Sequence, residues 1–176
     1  LSVPLVPDFV QLVIGVLSAE DSPVETLRGD LEKHFGPISD VSGPLKFDFT
    51  KYYDKEMGSG IRRWIMTVEK LVDPERLFEI KLLTNEIERK YSREGRRRFN
   101  LDPGLLTLGN FVLATGKNNA HRIYLKNGIF GDLTLIFRKA SYRPLEWTYP
   151  DYSDSVLLDI LNRIREDYKL KLEKQR

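Results

Sequence analysis

The stretch "QLVIGVLSAED", Gln11 to Asp21, constrains the fold more than any other part of the chain. From Leu12 to Leu17 it is apolar without alternation, and a strand tolerates that only when both of its faces are covered. The run predicts a central strand ending in a polar turn. It is too short to cross a bilayer and no basic segment precedes it, so neither a signal peptide nor an anchor is expected, and a cytoplasmic location follows by default.

What comes next reads as a helix. Ser22, Pro23 and Glu25 resemble a capping box with proline at the first helical position, and Leu27, Leu31 and Phe35 recur at helical spacing until Gly36. "PLKFDFT" then alternates, with Leu45, Phe47 and Phe49 on one face and Lys46, Asp48 and Thr50 on the other, which predicts a strand with a polar side. "IRRWIMTVEKLV" predicts another, with Trp64, Met66 and Val68 on a common face. Asp73 and Pro74 open a second helix whose apolar stripe, Leu77, Ile80, Leu83 and Ile87, runs to about Tyr91. In "NLDPG", the Asp-Pro-Gly sequence has the chemistry of a tight turn. "LTLGNFVLATG" follows as a strand, and His121 to Phe137 as a hairpin turning at Asn127-Gly128. A terminal helix is expected from Asp154, carrying Leu157, Leu161, Ile164 and Tyr168. The order β-α-β-β-α-β, hairpin, helix predicts an α+β fold: a ferredoxin-like split β-α-β core with a mainly antiparallel sheet, helices on one face, extended by the hairpin and the C-terminal helix. Residues 1–176 read as a single domain.

Composition excludes several chemistries. The 28 Lys and Arg nearly balance 26 Asp and Glu, so no global field marks a general nucleic-acid binder. With no cysteine, disulfides, thiolate zinc sites and thiol nucleophiles are impossible, and His34 and His121 are far apart, so a metal would need carboxylates; Asp54 and Glu56 form no spaced ligand motif, and no metal site is assigned. "GNFVLATGK" fails as a phosphate loop: the glycine spacing is too long, Asn118 stands where Ser or Thr is required, and a hairpin follows instead of a helix. No Asn-Lys-x-Asp guanine-reading motif occurs.

Candidate site residues fall in four places. Tyr53 and Glu56 lie in a long loop that ends at two glycines. Lys81, Thr84, Asn85 and Glu88 form one stripe of the second helix, as solvated helix faces also do. The stretch "RRRFNLDPG" offers Arg98, Asn100 and Asp102. On extended geometry Arg96 and Arg98 face one way and Arg97 the other, with Asn100 on the Arg98 side. Lys117, His121, Arg122 and Tyr124 lie in or before the hairpin, where parity on a regular strand separates His121 from Arg122. A polar sheet face is expected in which Lys46 and Asp48 meet Arg122, Tyr124, Asp132 and Thr134.

The ordered motifs "FTKYYDKEMG", "KLLTNEIE", "NLDPG", "HRIYL" and "WTYPDY", spanning Phe49 to Tyr152, resemble a family of small bacterial and archaeal proteins known only as a domain of unknown function. Some of its members carry the label of a GTP-binding regulator, which no residue of this chain accounts for. The resemblance implies a fold and a set of positions, Tyr53, Glu56, Lys81, Asn85, Glu88, Asn100, Asp102, Lys117, Arg122 and Asp151, but no activity. Leu105 stands where the family often has an aromatic residue, so no stacked ring is expected there.

The reading that accounts for the basic residues without a missing motif is a binding module for a phosphorylated small molecule or nucleotide on the polar sheet face, with Arg97, Arg98, Lys117 and Arg122 as charge-assisted donors. An acid/base enzyme, with Asp102 or Glu56 as base and His121 as acid, is the alternative. Single-stranded RNA binding is a third, although the basic-Gly-aromatic-Gly-Phe pattern is missing. No membrane partner is expected; the cofactor and the oligomeric state are left open.

Overall fold

A computed structural model describes residues 1–175. Among the described residues the chain forms an α+β structure: one mainly antiparallel sheet of eight strands and four α-helices. In chain order these are β1 (Gln11–Ser18), α1 (Pro23–Phe35), β2 (Ile38–Lys46), the short α2 (Asp54–Met57), β3 (Arg62–Val68), α3 (Leu77–Tyr91), β4 (Asn100–Leu106), β5 (Asn110–Thr115), β6 (Arg122–Lys126), β7 (Ile129–Arg138), β8 (Ser141–Pro144) and α4 (Ser155–Gln175). The sheet runs β2-β3-β1-β4-β5-β7-β6, with β8 also on β7. The crossovers β1-α1-β2 and β3-α3-β4 therefore interleave, each leaving room for a strand of the other. Among the described residues no helix is long and apolar enough to cross a membrane.

β1 is central, as its continuous apolar run requires: it pairs with β3 on one side and β4 on the other, and all eight of its residues are buried. Leu12, Ile14 and Val16 pack against α1 and α3 through Leu27, Leu31, Leu77 and Ile80. Val13 joins a second core beneath α4, built on Leu157, Leu161, Ile164, Tyr168 and Leu172. Helices thus cover both faces, not one. At about 1.5–3 kcal/mol for each fully buried large apolar side chain, α4's stripe is enough to hold it on the sheet. Asp154 Oδ1 caps this helix, accepting from the amides of Val156 and Leu157 at 3.0 and 3.2 Å. At α1, by contrast, Ser22 makes no side-chain cap and Pro23 alone sets the start.

Three strand expectations need correction. β2 ends at Lys46, so Phe47 to Thr50 lie beyond the strand that alternation predicts. Lys46 and Asp48 pair with each other on the surface. β2 also occupies the sheet edge opposite β6, so these residues never meet Arg122 or Tyr124. The third correction is the largest: Asn100–Leu106 is a strand inside the sheet, and the turn lies at Thr107–Gly109, where Thr107 Oγ1 accepts from the amides of Gly109 and Asn110.

A proline and a glycine are tolerated in β4 for separate reasons. β4 pairs with β1 along its whole length but with β5 only at Gly104, Leu105 and Leu106. Beyond Gly104 the two strands separate, so the amide that Pro103 lacks is not missed by a ladder. At Gly104 a Cβ would stand 2.7 Å from Phe111 Cζ, so the crossing of that ring requires glycine.

Candidate functional site

The separation of β4 from β5 opens the sheet. The gap is a cavity of about 700 Å³ that passes through the plane of the strands, so side chains from both layers reach it. α3 supplies Lys81, Asn85 and Glu88 from one layer, and the Tyr149–Tyr152 segment closes from the other. Phe47 to Tyr53 form one wall, and Thr115 to Lys117 another with Arg122 and Asp132.

The backbone of Leu101, exposed to the gap by the missing β5 partner, is satisfied by α3. Lys81 Nζ donates to its carbonyl at 2.7 Å, and its amide donates to Glu88 Oε1 at 2.6 Å. Lys81, Thr84 and Glu88 are accordingly buried, so the polar stripe of this helix faces the sheet and not solvent. Burial pushes the Glu88 carboxyl above the usual range, against the pull of Lys81 and the Leu101 amide.

The three arginines separate as extended geometry demands, but with a different outcome at Asn100. Arg97 turns into the cavity: Nε and Nη2 donate to the two oxygens of Glu56, both at 2.7 Å, and Nη1 donates to Asn100 Oδ1 at 2.8 Å. Arg98 turns away, pairs with Glu20 and lies over the Phe99 ring, outside the cavity. Arg97, not Arg98, is the neighbour of Asn100. Asn100 in turn donates from Nδ2 to Asp102 Oδ2 at 2.8 Å. The other oxygen of Asp102 has no hydrogen bond among the described residues.

Arg63, on β3, is the site's most unusual side chain. Only 4 % of it is exposed; Nη2 donates to Asp151, and the guanidinium lies between the rings of Tyr152 and Phe47, 4.6 and 5.2 Å from their centroids. Nε and Nη1 are buried with no partner. Burial works against its charge, but the Asp151 and Asp102 carboxylates favour it and the group is cationic. The same burial, with Asp102 nearby, pushes the hydroxyls of Tyr53 and Tyr152 well up, so both are neutral donors at physiological pH.

At the mouth, Lys117 Nζ lies 4.9 Å from the centre of the Tyr52 ring and forms no ion pair among the described residues. Arg122 Nε donates to Asp132 Oδ2 at 2.7 Å. His121 Nε2 lies 3.3 Å from the same oxygen while its ring stacks on Trp147. Parity does not separate these two neighbours, because β6 begins at Arg122 and His121 precedes the regular strand.

The cavity therefore gathers Tyr53, Lys81, Asn85, Asn100, Asp102, Lys117 and Arg122 from the sequence-derived set. Glu56 acts behind Arg97. His121 stands behind Asp132. Arg98 is elsewhere, and Tyr124 is 59 % exposed against Phe130 on the edge hairpin. Arg63 is not among the residues the sequence alone points to, whereas Arg97 is one of the expected donors and lines the cavity. A charged residue within the otherwise apolar strand "RRWIMTV" was the available signal for Arg63. Among the described residues there is no cluster of three or more histidine and carboxylate side chains able to hold a metal ion.

All five sequence motifs border this one opening or support its walls. A sequence model of the family described as "Domain of unknown function (DUF4416)" matches residues 8–168, and the chain belongs to that family. No curated protein and no solved structure matches it significantly.

Proposed function

We propose that this member of the DUF4416 family is a binding module for a phosphorylated small molecule or nucleotide, held in the opening between β4 and β5. The observation that carries the reading is Arg63: a buried guanidinium bordering a cavity, with two donor nitrogens left unpaired. Buried donors without partners are costly, and an anionic ligand is a group that would satisfy them. The volume, about 700 Å³, lies within the roughly 300–1,000 Å³ of small-molecule sites. Exposed Tyr52 and Tyr149 at the mouth suit a planar or apolar portion of the ligand.

Thermal unfolding with a panel of nucleotides and sugar phosphates tests this. At a hundredfold excess over its Kd a true ligand stabilises by about 2.7 kcal/mol, which is readily seen. Arg63→Lys, which retains charge but not the guanidinium, should weaken the effect strongly. No stabilisation by any phosphorylated compound at millimolar concentration would remove the proposal.

Asp102 supports the acid/base enzyme as a second reading, since one of its oxygens is unengaged beside the cavity. Glu56 is committed to Arg97, and His121 does not line the space, so Asp102 would be the base. Against an RNA platform, α4 covers the sheet face that stacked bases would need. We also read β1 to β4 as a ferredoxin-like split β-α-β core; the order β2-β3-β1-β4 with its interleaved crossovers supports this.

A further inference from the structure

We infer that Asp102 determines which anions the site accepts, admitting phosphates that carry a hydroxyl beside the phosphate-bearing carbon and rejecting bare ones. The inference rests on the reading above, that Arg63 receives an anionic group. In the register of the sheet, Arg63 is opposite Leu17 and Asp102 is opposite Gly15, so both side chains project from the same face, on strands flanking β1. Gly15, between them, leaves room for the Tyr152 hydroxyl: a Cβ there would stand 3.2 Å from that hydroxyl and 3.7 Å from Asp102 Cβ. Asp102, Asp151, Tyr53 and Tyr152 all act electrostatically within this one cluster around Arg63.

The two groups have opposite demands. Arg63 Nε and Nη1 can only donate and have no acceptor. Asp102 can only accept, and it takes one bond, from Asn100, which leaves its other oxygen without a hydrogen bond among the described residues. Arg97, which precedes β4, is engaged by Glu56 and Asn100, with Glu88 at 3.5 Å, and makes no hydrogen bond to Asp102. A bare phosphate placed at Arg63 would compete with Asp102 for the same cation and bring no donor to the carboxylate's second oxygen. A phosphate on a hydroxylated carbon frame brings its own donor to that carboxylate, and the competing group becomes an anchor. Selectivity built from a competing element in this way favours one ligand by penalising another. Sugar phosphates and the ribose phosphate of nucleotides share this chemistry.

The experiment is calorimetric titration of the full chain and of Asp102→Asn with inorganic phosphate, ribose 5-phosphate and adenosine monophosphate. The asparagine is the same size and keeps an oxygen for Asn100. The expected result is a crossing: in the native protein at least one hydroxylated phosphate binds about tenfold tighter than inorganic phosphate, whereas in Asp102→Asn inorganic phosphate tightens and the hydroxylated ligand weakens. Asp102→Glu, which retains the charge, should still bind inorganic phosphate weakly, and gives an independent reading if Asp102→Asn folds poorly. Equal affinity of the native protein for bare and hydroxylated phosphates, or a uniform change for all ligands in Asp102→Asn, overturns the inference while leaving the anion site at Arg63 standing. Failure of every phosphate to bind the native protein overturns both. Which of the two organic phosphates shows the crossing tells a free sugar phosphate from a nucleotide.

Discussion

The two ends of β4 have the same neighbour on one side and opposite fates on the other. From Gly104 to Leu106 the strand is zipped to β5 and surrounded by Phe111, Leu135 and Tyr142, all essentially inaccessible to solvent. From Asn100 to Pro103 the β5 partner is gone, and Glu88, Lys81, Arg97 and the cavity take its place. The difference teaches that one strand divides two tasks: its apolar end holds the halves of the sheet together, and its polar end keeps them apart.

The comparison is most easily broken at the zipped end. Phe111→Ala should cost about 3–5 kcal/mol in denaturant unfolding, because it empties the centre of the second core. A loss below about 1 kcal/mol would mean that this end does not hold the sheet. Gly104→Ala should cost about 1–3 kcal/mol by forcing a methyl group into the Phe111 ring. Adding Phe111→Leu should recover part of that loss, which a thermal melt of the double variant would measure.

How much of this division can be read from sequence depends on the residue. The continuous apolar run of β1 and the spacing of Leu157, Leu161, Ile164 and Tyr168 specify a central strand and an amphipathic helix, and both are found. Asp-Pro-Gly misleads because turn propensity is a local property, whereas the reason for its occurrence in a strand is not local: Pro103 sits where pairing has ceased and Gly104 where a ring 7 residues away in sequence crosses. The helix stripe Lys81, Thr84, Glu88 looks solvated for a similar reason. Lys81 and Glu88 meet the backbone groups of Leu101, which need side chains only because a strand is missing, while the Thr84 hydroxyl donates to the Lys81 carbonyl. Arg97 replaces Arg98 at Asn100 because the chain bends at Arg98, so alternation does not carry through from Arg97 to the start of β4.

The smallest expected effects lie at the open end and sharpen the comparison through pH. Glu56 and Glu88 share an ordinary value of 4.5 but are shifted in opposite directions. The Arg97 hydrogen bonds lower Glu56, so its contribution is present above pH 4.5 and is lost as pH falls through the lowered value. Burial raises Glu88, so its contribution is full below pH 4.5 and fades as pH rises through the raised value. Urea midpoints followed across the acid range should therefore diverge: Glu56→Gln should lose about 0.2–1 kcal/mol, mainly above pH 4.5, a modest sum because the pair is part-exposed. Glu88→Gln should gain on the native protein as pH rises. Parallel pH curves for the two variants would show that the site's electrostatics do not distinguish its solvated rim from its buried wall.

Pro103 has a consequence for what cannot enter the opening. An interior strand edge is a template for another strand, and an unprotected one invites foreign peptides or the protein's own neighbours to complete the sheet. Here the template is defaced: Pro103 offers no amide, and both hydrogen-bonding groups of Leu101 are already occupied by Lys81 and Glu88. An extended peptide arriving at the gap finds no ladder to join. The edge that β4 turns toward the gap is thereby a poor template for strand addition.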